Sequence, residues 1–265
     1  MDTIISQNLL KKIEKIIYRG GEIALEGQKH YGKIFYKKPK SIVTSVDIKL
    51  NEFLIAQLQS LLLIPIYSEE EEKPTHLGDR YWLIDPLDGT LDFIKGGDTF
   101  SIAVALVDKG SIEIGVIYCP RRSQLFSGIK KVSYYLNGQK IDKRGNISKS
   151  IMLNIVNHGF YSSELKQFTK DLKNPQEKVG SLALALSYVA LGKLEAVICN
   201  FIAAPWDVAA AVVLLESANC VLTDIEGKPW YPLQFMRGVV SSTKDSHQFL
   251  LSKIQSYTKR FARHK

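Results

Sequence analysis

Trp82-Leu83-Ile84-Asp85-Pro86-Leu87-Asp88-Gly89-Thr90 is the stretch on which fold and chemistry both turn. Its apolar start reads as a β-strand that delivers Asp85 at its end. Pro86 has no N–H to give to a ladder, so the strand is expected to stop there and leave Asp85 and Asp88 on a tight turn. Gly89 can take a backbone angle closed to other residues, and Thr90 to Ile94 can open a helix whose free N–H groups face the same spot. Oxygen ligands for a hard cation then lie beside a helix N-terminus suited to phosphate, the pairing that metal-assisted phosphoryl chemistry requires. For an isolated D-x-x-D-G the blander reading, an Asp-Gly turn with Asp88 capping a helix, is the better one. Acids at other junctions shift the balance: Ser68-Glu69-Glu70 follows the apolar run Ile64 to Tyr67, and Pro205-Trp206-Asp207 opens a later helix.

Outward from this centre the periodicity alternates between strand and helix. Ile4, Ile5, Leu9, Ile13, Ile16 and Ile17 recur at helical steps and predict an amphipathic helix running to about Gly27. Lys33 to Val46 is β-leaning, with a basic turn, Lys37 to Lys40, that reads as an ordinary solvated loop or an electrostatic funnel. Asp47 stands as the N-cap of a second helix carrying Leu50, Phe53, Leu54, Leu58 and Leu61. Ser101 to Val107 and Ile112 to Tyr118 are expected strands, as are Ile151 to Val156, Leu194 to Cys199, Val221-Leu222 and Gly238 to Ser241. Helices are expected over Ser162 to Lys170, Ser181 to Leu191 with Gly192 closing it, Pro205 to Glu216, and Lys244 to Tyr257. Mixed elements without strict βαβ alternation predict sheets layered with helices, an α+β arrangement. A soft boundary near Lys149 divides residues 1–149 from 150–265.

Composition narrows the classes. The chain has 265 residues, 45% of them apolar, enough to close a core, and 35 Lys and Arg against 27 Asp and Glu leave a net charge of +8, which favours an anionic partner. Its longest uncharged run, Phe53 to Ser68, contains Gln57, Gln59, Ser60 and Pro65 and is too short to span a bilayer. No secretory signal is read, and Cys119, Cys199 and Cys220 form neither pairs nor C-x-x-C spacing, so a reducing, cytoplasmic location without membrane contact is expected. His30, His76, His158, His247 and His264 are scattered, which argues against a histidine metal site.

Four acidic motifs in order, Asp47, Glu69-Glu70, Asp85-Pro86-Leu87-Asp88-Gly89-Thr90 and Trp206-Asp207, make the chain resemble the inositol monophosphatase family, over about residues 30 to 230. The resemblance implies a layered αβαβα sandwich and a magnesium-dependent, lithium-sensitive phosphomonoesterase, often a homodimer. It places one Mg²⁺ on Glu69, Asp85 and the Leu87 carbonyl and a second among Asp85, Asp88 and Asp207, with Glu69 helping a weaker third through water. Residues 1–149 would then carry most of the ligands, and residues 150–265 would carry Asp207 and the wall of the substrate pocket. Thr90, hydrogen-bonded to Asp47, would orient the attacking water and accept its proton, while the N–H groups of Gly89 and Thr90 hold phosphate. Li⁺ would inhibit by replacing one ion. Glu70 to Glu72 read as a solvated loop end, Asp92 and Asp98 match no ligand position, and Trp206 buttresses Asp207.

For the alcohol half of the substrate the resemblance points to Gly180, Ser181, Leu182 and Asn200. Asn200 occupies the position of a family acid that contacts substrate hydroxyls, seven residues before Asp207, and Leu182-Ala183 replaces a smaller pair. An inositol phosphate is the leading substrate. A 3′(2′),5′-bisphosphate nucleotide, a sugar phosphate or histidinol phosphate is the alternative. A reading of another class is an RNA- or transcription-associated binding protein that uses the basic surface around a vestigial site.

Overall fold

Helical spacing of apolar side chains sets the first layer. The computed structural model describes residues 5–29, 34–37, 41–72, 74–142, 144–145 and 148–262. Helix α1 (Gln7–Lys29) buries Leu9, Leu10, Ile13, Ile16, Ile17 and Ala24. It sits so near the sheet that a Cβ on Gly21 would lie 2.3 Å from the Tyr118 ring. Strands β1 (Ile34–Lys37) and β2 (Ser41–Thr44) form an antiparallel hairpin; of its basic turn, Lys38 to Lys40 lie outside the described residues, as does the side chain of Lys37. Helix α2 (Ser45–Leu61) corrects one expectation: its N-cap is Thr44, and Asp47 lies in the first turn, accepting from the Thr44 N–H at 2.8 Å. The two residues form a reciprocal capping box, which satisfies donors on both sides of the helix start.

A sheet of seven strands follows: β3 (Ile66–Ser68), β4 (Arg80–Asp88), then, after the short helix α3 (Thr90–Ile94), β5 (Ser101–Asp108), β6 (Ser111–Cys119), β7 (Gln124–Ile129), β8 (Ser133–Leu136) and β9 (Gln139–Lys140), in that spatial order. Only β3 and β4 pair in parallel. Pro86 does not end β4 as expected. The strand continues to Asp88, and its register with β5 slips between Asp85, opposite Ala103, and Asp88, opposite Ser101. An irregularity of this kind absorbs the missing proline N–H and bends the strand. Strands β7 to β9 carry no clean two-residue alternation and are absent from the sequence reading.

The remaining chain gives β10 (Ile151–Asn154), α4 (Ser162–Asp171), β11 (Gln176–Glu177), α5 (Leu182–Leu191), β12 (Ala196–Ala203), α6 (Pro205–Ser217), β13 (Cys220–Thr223), β14 (Met236–Thr243) and α7 (Lys244–Ala262). Its strands form a second sheet in the order β11-β10-β12-β14-β13. Strand periodicity assigns the layers. Trp82, Ile84, Ile102, Val104 and Leu106 face α1 and α2. Leu83, Ala103, Ala105 and Val107 face α5 and α6, which meet Met152, Val197, Cys199 and Val239 of the second sheet. Ile151, Ile198 and Val240 cover α4 and α7 from the other side. The result is an αβαβα sandwich. Among the described residues no helix is long and apolar enough to cross a membrane.

Two positions test this packing. A Cβ on Gly115 of β6 would lie 2.0 Å from the Ala210 carbonyl oxygen of α6, which is backbone and cannot swing aside. Gly115→Ala should therefore lower unfolding free energy by about 2 kcal/mol or more in denaturant titration. His247 is buried, hydrogen-bonded to Thr223 Oγ1 at 3.0 Å, and burial holds its pKa below the ordinary value. An unfolded chain then binds more protons than the folded one, so stability is full above about pH 6.5 and is lost as pH falls below it. The drop in unfolding free energy between about pH 7.5 and about pH 5.5 should be smaller in His247→Gln than in the wild type; equal drops would assign the acid sensitivity elsewhere.

Candidate active site

Three chain segments bring acids to one place. The bent end of β4 contributes Asp85, Leu87 and Asp88, the end of β3 contributes Glu69, and the first turn of α6 contributes Asp207; all five line a cavity of about 120 Å³ together with Gly89 and Thr90. Gly89 adopts φ +88°, a left-handed conformation, and a Cβ there would press on the Gly180 backbone at 3.0 Å. Asp85 is buried, whereas Glu69, Asp88 and Asp207 keep part of their surface toward the cavity.

Each acid is held by its own local structure. Asp207 accepts from the Ala204 N–H at 2.8 Å, closing the start of α6 behind Pro205. Asp88 Oδ2 accepts from the Ser181 hydroxyl at 2.6 Å and the Ala183 N–H at 2.8 Å, which ties it to the first turn of α5. Asp85 accepts from the Leu87 N–H at 3.1 Å. Glu69 follows Ser68, whose hydroxyl donates to Asn51 at 2.7 Å, and the Asn51 amide in turn donates to Glu71 at 2.6 Å. Glu71 and Glu72 are exposed, as a solvated loop end requires, with Glu71 tied to Asn51 by that one bond, and Glu70 lies near enough to raise the pKa values of Asp47 and Glu69. The Thr90 hydroxyl lies 3.2 Å from Asp47 Oδ1 and 3.1 Å from the Leu87 carbonyl oxygen, and can donate to either.

The electrostatics of this group follow from its burial. Desolvation, and then mutual repulsion, push the carboxyls of Glu69, Asp85 and Asp207 above their ordinary range. A hydrogen bond between the Glu69 and Asp85 carboxyls lowers the pKa of Glu69 and raises that of Asp85. Asp88 is raised by desolvation against opposing hydrogen bonds from Ser181 and from backbone N–H groups. Among the described residues no three or more acidic, His or Cys side chains already close into a finished ion cage. They share a cavity instead, an open all-oxygen donor set of the kind magnesium accepts while keeping several waters.

Of the residues expected at the alcohol end, Gly180 and Leu182 line the cavity. Ser181 instead serves Asp88 and caps α5, accepting from Leu184 at 2.9 Å. Asn200 is a correction: it is fully buried and does not reach the cavity, because its amide accepts from the Val156 N–H at 2.7 Å and donates to the Val156 and Phe160 carbonyls at 3.1 Å each. Sequence reasoning missed Met152, Asn154 and Phe201, which complete the wall. It also passed over Asp92. That carboxylate accepts from both the N–H and the hydroxyl of Thr99 at 2.8 Å, and Thr99 accepts from Gly180 at 2.7 Å and, through its carbonyl, from Ser181 at 2.9 Å. Asp92 therefore positions the loop that holds Asp88. Asp98 pairs with Arg122 at 3.0 Å, outside the cavity. Trp206 stacks edge-on against Tyr67 at 5.1 Å beside Asp207.

The family model for inositol monophosphatases matches residues 6–259. The chain belongs to the inositol monophosphatase family. Members of this family are phosphatases of phosphate monoesters, and the protein is an enzyme of that class. A fructose-1,6-bisphosphatase/inositol-1-monophosphatase of Thermotoga maritima is 28% identical over 210 residues, covering 75% of this chain and 79% of that protein. The Nus factor SuhB of Salmonella typhimurium is 34% identical over 170 residues, 59% of this chain and 62% of its own length. The solved structure of the Thermotoga maritima IMPase superposes with a TM-score of 0.84 at 22% identity, over 96% of this chain and 99% of that one, which shows a common inositol monophosphatase fold.

Repulsion among the acids makes one prediction for the metal-free protein. With chelator present, Asp85→Asn should unfold at least about 2 °C above the wild type, because the amide neither ionises against three like neighbours nor needs a proton to stay neutral. A midpoint lowered by that amount would mean that the hydrogen bond from Leu87 outweighs the repulsion.

Proposed function

We propose that the protein hydrolyses a small phosphate monoester with magnesium as its cofactor. The reading is carried by one observation: four acids that repel one another share a cavity with Gly89 and Thr90. Such a set is costly without a cation and suits oxygen-seeking divalent ions. Glu69, Asp85 and the Leu87 carbonyl would hold one Mg²⁺, and Asp85, Asp88 and Asp207 a second; Glu69 also serves a weaker third. When bound, these ions supply acidified water and neutralise the charge of the phosphoryl oxygens. Lithium competes for the same oxygen donors and is expected to inhibit.

The chain's own groups do the rest. Thr90 orients the attacking water and takes its proton while passing its own toward Asp47, whose carboxylate is 3.2 Å away. Thr90 and Gly89 hold phosphate oxygens through their N–H groups, at the start of a helix that Gly89's left-handed backbone turns toward the cavity. Residues 1–149 supply most of the cation ligands, and residues 150–265 supply Asp207 and the alcohol wall.

The Thermotoga maritima relative's name joins a sugar bisphosphate and an inositol phosphate, so substrate choice is a matter for assay. Phosphate release from inositol, sugar and nucleotide phosphates should require Mg²⁺, cease with chelator, and fall by about 100-fold or more in Asp88→Asn. Release that ignores chelator, or survives Asp88→Asn at the wild-type rate, would refute the reading. The SuhB resemblance supports a second one, a transcription-associated protein. Salt-sensitive RNA binding with no turnover of any ester would favour it.

A further inference from the structure

The phosphate end of the cavity is crowded with charge, but its far wall is not. Met152, Leu182 and Phe201 make that wall apolar, Asn154 adds one amide, and no lysine or arginine among the described residues lines the cavity. Strand geometry explains which side chains arrive there. Met152 and Asn154 are two residues apart on β10 and share a face, while Leu153 between them packs toward the core under α4 and α7. Beside β10, β12 runs parallel with Cys199 opposite Asn154. Cys199 belongs to the core between the sheets and Phe201 reaches the cavity, so Asn200, one residue out of phase, is turned to the opposite side.

The two asparagines are consequently in opposite states. The Asn200 carbonyl and N–H groups are consumed by Val156 and Phe160, and it has nothing left to offer a ligand. The Asn154 side chain is half-buried, lines the cavity, and has no hydrogen-bond partner among the described residues. A polar group placed against an apolar wall gains most when a ligand hydroxyl completes it.

We propose that Asn154, and not Asn200, hydrogen-bonds a hydroxyl of the substrate's alcohol, and that the same wall disfavours a second phosphate beside it. A second phosphate on that side would meet no cation from the wall. The inference rests on the phosphatase reading above. Its test compares kcat/KM for glycerol 2-phosphate and isopropyl phosphate, which share a skeleton and differ in hydroxyls, in the wild type and in Asn154→Leu, with Mg²⁺ present.

Asn154→Leu should lower kcat/KM for glycerol 2-phosphate by about 10-fold or more and leave isopropyl phosphate within about twofold, which also reports that the variant is folded. Wild-type kcat/KM for fructose 1,6-bisphosphate should lie below that for glycerol 2-phosphate. An unchanged ratio of the two monoesters, an equal loss on both, or preference for the bisphosphate overturns the assignment while leaving the phosphatase intact. A wild type that turns over none of the esters overturns the phosphatase reading and this one with it.

Discussion

Glu69, Asp85, Asp88 and Asp207 share a small cavity, and in surroundings of low polarity each raises the cost of ionising the others. Much of the local structure serves to hold them together against that cost. Asp207 lies in the first turn of α6, Asp88 accepts from the first turn of α5, and Asp47, bonded to Thr90, lies in the first turn of α2. Helix N-termini carry partial positive charge and unpaired N–H donors, so three of them directed at one region offset some of the repulsion before any ion arrives. The residual imbalance is what a bound cation would relieve.

The sandwich is arranged so that these helix ends can meet. Helices α5 and α6 lie between the two sheets, and close approach is allowed by small residues on both sides: Ala103, Ala105 and Gly115 from the seven-stranded sheet, Ala209, Ala210 and Ala211 from α6. Wider side chains at those positions would push α6, and Asp207 with it, away from β4. The hydrogen bonds from Asp92 through Thr99 to Gly180 and Ser181 act in the same sense across the seam. They fix the start of α5 against α3, and so set where Ser181 delivers its hydroxyl to Asp88.

How much of this was legible depended on whether a signal was local. Apolar spacing in Leu9 to Ile17 and in Leu50 to Leu61 is read directly as helix, and the acids of Trp82 to Thr90 are read as a cluster because they lie within a few residues of one another. Pro86 misled: its missing donor stops a regular ladder, but here a slipped register with β5 carries the strand through to Asp88. That compensation involves Ala103 and Ser101, which no local pattern points to. Asp47 was placed as an N-cap because it precedes an apolar stripe, and only Thr44, three residues earlier, shows the reciprocal box.

The alcohol wall was the least legible part, and the reason is phase. Counting back from Asp207 assigns Asn200 to the substrate, but a count of residues does not say on which face of a strand a side chain emerges. The register between β12 and β14 slips between Cys199 and Ile202, so a count from the helix start crosses an irregularity before it reaches Asn200. One residue of phase is enough to exchange cavity for core. The acids of the cavity escape this ambiguity because helix caps and a left-handed glycine fix their direction locally. The chemistry of such a site is therefore written in short motifs, while its selectivity depends on strand pairing between residues far apart in the chain.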